Sequence, residues 1–286
     1  MDWPNSLVAE IAERRCIIFL GAGASAGSQD PATGARPPDW PTLLRDAMPL
    51  THDTAITPMA EQMIVREQFL DAAELIFSRV EPAEARTFFR QRFLTPNYQP
   101  SALHELIVEL DPKIVITTNY DEIYDDFCVS GGADAGYSVR RYYDDNVLDE
   151  IRSTARVVLK AHGCITETSK MVLTRSQYFA ARARHPGFFS ILGSLFLCNT
   201  LLFVGYGLSD PDISLVLESA QISVPALHPH YALVASGRHP AIARAMKNTY
   251  NVKLLEYDNA IGDHSVGLDA LRELRDLVQS YRSTYA

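Results

Sequence analysis

Residues 16–27 read CIIFLGAGASAG, five apolar residues running directly into a glycine-rich turn. A short run rich in β-branched residues without polar alternation suits a strand buried on both faces of a parallel sheet. Glycines at the carboxyl end of such a strand permit a tight turn and bring backbone N–H groups close to a phosphate, while the start of the next helix favours negative charge. The third glycine, Gly27, stands one place later than in the usual dinucleotide fingerprint, and the Gly-Lys-Ser/Thr ending of a Walker loop is missing. A purely structural glycine turn is the alternative.

Outward from this stretch, apolar runs recur at Lys113–Thr117, Arg156–Lys160, Thr200–Val204, Tyr231–Ala235 and Val252–Tyr257. Between them Pro100–Leu110, Pro186–Leu197, Pro211–Gln221 and Pro240–Asn248 read as helices, several with proline in the first turn. A last helix is expected at about 265–281, with leucines at 268, 271, 274 and 277 on one face. The alternation predicts an α/β fold, a doubly wound (Rossmann-like) parallel sheet. The interval between the first two strands exceeds what a simple crossover needs. The spacing of Phe69, Ala72, Ala73, Ile76 and Phe77 predicts a helical insertion at about 40–95, entered through a proline-rich loop at 31–41, within one domain spanning 1–286.

The later strands also end in polar or glycine-rich residues. Thr117-Thr118-Asn119-Tyr120-Asp121 follows the second predicted strand; Asn119 offers both donor and acceptor and Asp121 an acceptor, the alternative being that either caps a helix beginning near Glu122. His162-Gly163 follows the third, where a histidine near neutral pKa can activate a hydroxyl or water, unless it is structural, and Gly163 leaves room beside the imidazole. Gly205-Tyr206-Gly207-Leu208-Ser209-Asp210-Pro211-Asp212 follows the fourth, a second glycine turn suited to a ribose or phosphate, with Asp210 or Asp212 also able to cap the next helix. Open α/β sheets bind ligands outside the carboxyl ends of their strands, so four such ends read as one crevice.

The chain has 286 residues, 47% hydrophobic and 21% charged, with a formal net charge of −9. That balance argues against an extended nucleic-acid surface, and Arg14-Arg15 and Arg140-Arg141 read as solvated faces or partner contacts. Cys16, Cys128, Cys164 and Cys198 lack the close spacing of zinc ribbons, so neither metal nor disulfide is implied. No signal peptide and no membrane span are read, and a cytoplasmic protein is expected.

Gly-Ala-Gly-Ala-Ser at 21–25, Thr-Thr-Asn-Tyr-Asp at 117–121, His-Gly at 162–163 and the glycine turn at 205–207 occur in the order found in sirtuins. The resemblance spans roughly residues 15–235 and looks closest to the bacterial branch that degrades NAD during defence against phage. It implies NAD as substrate, Asn119 and His162 as the catalytic pair, and a binding surface of Gly21, Ala22, Gly23, Ser25, Thr118, Asp121, Gly205, Tyr206, Gly207 and Asp210. The sequence departs from protein deacetylases of that family, which follow the His-Gly with a zinc module built on two Cys-x-x-Cys pairs. Here only Cys164–Lys170 separates Gly163 from the apolar run Met171–Leu173, and Pro37-Pro38-Asp39-Trp40 replaces an expected isoleucine-proline-aspartate-phenylalanine-arginine stretch. The expected reaction is hydrolysis of NAD to nicotinamide and ADP-ribose. ADP-ribosyl transfer and non-catalytic sensing of NAD or ADP-ribose are the alternatives, and deacylation is disfavoured. With about 30 residues after Tyr257, control is expected from a homo-oligomer or a second polypeptide, by analogy a HerA-type ATPase.

Overall fold

A computed structural model of the chain describes residues 1–131, 136–208, 210–224 and 227–285; Ser209 and the side chain of Asp212 lie outside the described part. Seven strands form one sheet: β1 (Cys16–Leu20), β2 (Ile114–Thr117), β3 (Tyr137–Arg141), β4 (Arg156–Lys160), β5 (Thr200–Val204), β6 (His230–Ala235) and β7 (Val252–Tyr257). Their order is β3-β4-β2-β1-β5-β6-β7 and every pairing is parallel. The chain therefore builds one half of the sheet outward from β1, returns, and builds the other half from β5. The crevice between the carboxyl ends of β1 and β5 is the topological switch point of a doubly wound fold.

All five residues of β1 are buried, and their alternation feeds two cores. Ile17 and Phe19 join the layer under the helices Arg175–Arg184, Pro186–Cys198 and Pro211–Ser223, while Cys16, Ile18 and Leu20 join the layer under Asn5–Ala12, Ala102–Leu110 and Ser265–Tyr285. Burying each large aliphatic or aromatic side chain contributes roughly 1.5–3 kcal/mol. The central strand is thereby committed to both faces at once.

Strand β3 was not among the expected strands. Its sequence, YSVRR, has no apolar run, and every residue in it is only half-buried, because it sits at the sheet edge and pairs with β4 alone. Arg140 there pairs with Glu150, and Arg15 pairs with Glu10 at 2.8 Å, so both arginine pairs engage acidic neighbours of the same chain. The final helix continues to Tyr285. Its leucines, three apart on a 3.6-residue period, drift around the axis; Leu271 and Leu274 are buried, Leu277 is exposed, and Val278 takes the next buried position.

Between β1 and β2 the chain forms the helices Trp40–Ala47, Thr57–Val65, Phe69–Phe77 and Pro82–Phe93. Ala72, Ala73 and Ile76 are fully buried in a third core, with Phe69 and Phe77 packed against it. This core also takes in Tyr120, Cys164, Ile165, Met171 and Leu173. The insertion is thus seated on the loops that follow β2 and β4, beside the carboxyl edge of the sheet.

Candidate active site

A cavity of about 600 Å³ opens at the switch point. It is lined by Ala22 and Gly23, Ser25, Thr118 and Asn119, Asp121, His162, the turn Gly205–Gly207 and Asp210, which brings eleven of the expected site residues to one space. Gly21 is not on its surface. The insertion supplies the facing wall through Trp40, Phe69, Leu70 and Phe93, with Trp40 stacked on Phe69 at 6.1 Å. In the sequence Trp40 stands in a departing motif and Phe69 on a helix face, with nothing to place either at the cavity, and no motif marks Tyr178, which also lines it from the helix Arg175–Arg184.

The glycines do their work on each other. Gly21 N–H donates to Val204 O at 3.2 Å, Gly23 N–H to Gly205 O at 2.9 Å, and Ala24 N–H to Gly21 O at 2.9 Å. A Cβ on Gly21 would lie 2.5 Å from Gly205 O, and one on Gly205, whose φ is +61°, would lie 2.3 Å from Ala24 N. The two turns therefore pack backbone to backbone. These three amides are spent inside the protein, so the expectation that the loop's amides face a ligand does not extend to them; Gly21 contributes its carbonyl, as an acceptor for Asn119.

Asn119 donates from Nδ2 to Gly21 O at 3.0 Å and to Ser25 Oγ at 3.1 Å, and its N–H donates to Thr117 Oγ1 at 3.0 Å. A carbonyl oxygen only accepts, so these contacts fix which end of the amide is nitrogen. Ser25 Oγ passes the chain on to Asp121 Oδ2 at 3.0 Å, and Asp121 Oδ1 accepts from Ile123 N–H at 3.2 Å, an Asx turn that leads into the helix Ile123–Ser130, whose N-cap position is Glu122. Ser25 and Asp121 are both buried and hold Asn119 in place. Below them Lys160, fully buried, donates to Asp125 Oδ2 and to the backbone oxygen of Asp121, both at 2.6 Å. Burial opposes the ammonium charge, but Asp125, Cys164 and Asp121 together outweigh it and hold Lys160 above its ordinary pKa. Glu122, Asp125 and Cys164 also lie close enough together to share a cation; the Lys160 ammonium already supplies positive charge to Asp125 there.

His162 is buried at the end of β4, its ring set edge-on to Tyr178 with centroids 4.9 Å apart. Its Nδ1 is 3.4 Å from Tyr178 Oη and its Nε2 is 3.4 Å from Asp210 Oδ2. Among the described residues Nε2 makes no hydrogen bond. Burial pushes the imidazole below its ordinary pKa, and Asp210 partly opposes that. Asp210 has two roles, since Oδ1 caps the helix Pro211–Ser223 by accepting from Ile213 N–H at 3.1 Å, while Oδ2 accepts from Tyr178 at 2.8 Å. Gly163, expected to make room for the imidazole, has φ +81° and instead clears Lys170 O, 2.5 Å from where its Cβ would be. That turn also lets Val172 N–H reach His162 O at 3.0 Å.

A family model described as a SIR2-like domain matches residues 113–255, half of the chain, from the start of β2 into β7. The chain is 27% identical over 210 residues to defense-associated sirtuin 2 of Bacillus subtilis, covering 71% of this chain and 19% of that protein. It is 24% identical over 221 residues to the NAD(+) hydrolase ThsA of Acinetobacter baumannii (strain 532279), covering 76% of this chain and 42% of that one. With ThsA of Cytobacillus dafuensis the identity is 24% over 215 residues, 73% and 39% of the two chains. The chain thus spans less than half the length of these relatives. The matched stretch carries Asn119, His162 and the Gly205 turn on the strand ends of a doubly wound sheet, and the chain belongs to the SIR2-like family.

Proposed function

We propose that this chain is an NAD hydrolase that releases nicotinamide and leaves ADP-ribose, and that it acts in defence against phage by depleting NAD. The observation that carries this reading is the convergence of Asn119 and His162 on one cavity at the switch point, in a family whose relatives include proteins named NAD(+) hydrolase. The volume suits a cofactor-sized ligand. The dinucleotide lies over the strand ends, with its pyrophosphate against Ala22 and Gly23, its adenosine half at Gly205–Gly207 and its nicotinamide ribose between Asn119 and His162.

Nicotinamide leaves a pyridinium as a neutral base, taking the C–N electron pair and leaving oxocarbenium character at the ribose. Fixed carboxylates in an enclosed site stabilise that charge without reorganising, and Asp121 and Asp210 both line the cavity. Asn119, whose Nδ2 is held by Gly21 and Ser25, presents Oδ1 to the ribose or the attacking water. Water adds to the ribose carbon and gives a proton to His162, which burial holds in its neutral, proton-accepting form.

Purified protein incubated with NAD yields nicotinamide and ADP-ribose in equal amounts, and His162→Ala removes turnover while the fold is kept. Undiminished cleavage by that variant overturns the role of His162. Label from NAD appearing on a macromolecule would instead indicate ADP-ribosyl transfer. Because the reaction depletes the cell's own NAD, it needs restraint, supplied by self-assembly or by a co-encoded HerA-type ATPase and tested by light scattering and by turnover with and without that ATPase. No helix among the described residues is long and apolar enough to cross a membrane, and we place the reaction in the cytoplasm, without direct nucleic-acid contact.

A further inference from the structure

We infer that Tyr178 and Asp210 fix the tautomer of His162, placing its proton on Nδ1 and leaving Nε2 as the basic atom that faces the reaction. The inference rests on the NAD-hydrolase reading for its catalytic meaning, but its geometric content stands on hydrogen-bond directions alone.

A phenol has one proton to give. Tyr178 Oη lies 2.8 Å from Asp210 Oδ2 and 3.4 Å from His162 Nδ1. Asp210 is the closer partner, and an ionised carboxylate is an acceptor only, so the phenol proton goes there. The phenol then meets Nδ1 with a lone pair, and the contact is attractive only if Nδ1 carries hydrogen. The opposite arrangement would give the phenol proton to a bare Nδ1. It would leave two oxygens 2.8 Å apart with no proton between them, in a setting where Tyr178 is 5% exposed and water cannot separate them. The chain of donors therefore runs Nδ1–H to Tyr178 Oη, and Tyr178 O–H to Asp210 Oδ2.

Nε2 carries the free lone pair in consequence: Asp210 Oδ2 is 3.4 Å from it but lies outside hydrogen-bond geometry, so an Nε2–H would not be directed at that oxygen, whereas Nδ1 and Tyr178 Oη are aligned. When it takes a proton from water, the water O–H breaks, its electron pair goes to the oxygen bonding the ribose carbon, and an N–H forms on Nε2. The resulting imidazolium lies with Nε2 3.4 Å from Asp210 Oδ2, whose charge stabilises it. Tyr178 is thus a positioning residue, acting through His162, and its arrival on a helix with no motif of its own explains why the sequence does not reveal it.

Two variants separate this from a packing role. Tyr178→Phe keeps the ring against His162 and removes the relay. Asp210→Asn keeps an oxygen to cap Ile213, which turns its amide N–H toward Tyr178; the phenol must then accept from Asn and donate to Nδ1, driving the imidazole proton to Nε2. Nitrogen-15 NMR of histidine-labelled protein without substrate reads the tautomer directly. The expected spectrum shows protonated Nδ1 and bare Nε2 in the wild type, loss of that preference in Tyr178→Phe, and inversion in Asp210→Asn. With NAD, kcat falls about tenfold in the first variant and on the order of 10²-fold in the second, with KM little changed. A wild-type Nε2–H tautomer, or an uninverted Asp210→Asn spectrum, overturns the tautomer assignment; unchanged kcat in both variants overturns the positioning role. A wild type that shows the expected tautomer but consumes no NAD defeats the hydrolase reading and leaves the hydrogen-bond assignment standing.

Discussion

Gly23 donates its backbone N–H to the carbonyl of Gly205 at 2.9 Å, joining the turns after β1 and β5 across the switch point. A Cβ on Gly23 would lie 2.8 Å from that same oxygen, and one on Gly205 would meet the backbone of Gly23 and Ala24 from a left-handed φ of +61°. Backbone cannot step aside as a flexible side chain can. Gly205→Ala is therefore expected to cost about 1–2 kcal/mol for the left-handed conformation, plus the displacement of the β1 turn, and to lower NAD turnover by shifting Asn119, which hangs from Gly21 O. Gly193, in the helix Pro186–Cys198, has nothing within 4 Å of its would-be Cβ, and Gly193→Ala should gain roughly 0.8–1 kcal/mol. Thermal unfolding of the two variants checks both signs.

The strands that matter most were legible because burial on both faces leaves an uninterrupted apolar signature, as in Ile17, Ile18 and Phe19. Edge strand β3 had no such signature, since half-exposed Arg140 and Arg141 read as surface. The residues that meet at the cavity from the strand ends were legible because the motifs mark where strands stop. What escaped were Tyr178, Trp40 and Phe69, which reach the cavity through helix packing between distant parts of the chain, and the inward use of Ser25 and Asp121, which depends on the geometry of Asn119. Gly163 was read at the right place for the wrong neighbour, because only the path of 164–171 shows that Lys170 O passes beside it.

Lys160 and Asp125 form an ion pair without solvent access, and Lys160 also ties down the backbone of Asp121. Removing one partner from a buried pair costs about 3–5 kcal/mol because the other charge is left uncompensated. Lys160→Met should therefore unfold at markedly lower denaturant, and should weaken turnover by loosening the Asn119 loop. Lys160→Met combined with Asp125→Leu should recover a large part of the stability but not the turnover, since the tether to Asp121 stays broken. Urea unfolding beside NAD cleavage separates these effects.

Three buried histidines set the acid limit of stability. Burial lowers His104 and His230 from 6.5 to about 4 and lowers His162 below 6.5. His104 Nδ1 accepts from Ser101 N–H at 3.0 Å and His230 Nδ1 from Leu201 N–H at 3.2 Å, bonds that protonation of Nδ1 forfeits. For His104 and His230 the unfolded chain binds the proton first as pH falls, so the contribution of each is complete above about 6.5 and is lost between there and about 4, at roughly 1.4 kcal/mol per pH unit; His162 acts in the same direction. Unfolding free energy measured from pH 7.5 to 4 should fall along that limb. Replacing His230 with Gln, which keeps an acceptor for Leu201 N–H but does not titrate, should shallow the slope by one histidine's share.

Arg175 clasps Asp71 through two hydrogen bonds, Nε to Oδ1 at 2.7 Å and Nη2 to Oδ2 at 2.9 Å, and so fastens the insertion to the helix that carries Tyr178. Ser176 adds N–H and hydroxyl bonds to Glu74 at 2.8 and 2.9 Å. The Arg175 side chain is 64% exposed and that of Asp71 41%, so water and salt screen the pair, and its worth to global stability is about 0.2–1 kcal/mol. Its position matters more than its strength, because Asp71, Arg175, Phe69 and Leu70 all line the cavity. Arg175→Ala should leave the unfolding midpoint nearly unchanged while raising KM for NAD, with kcat held because His162, Tyr178 and Asp210 keep their own contacts. Added salt should raise the wild-type KM in the same direction and have less effect on the variant, whose clasp is already gone. Steady-state kinetics at two ionic strengths test this, and a KM that is indifferent to both changes would assign closure of the wall to the packing of Trp40 on Phe69 alone.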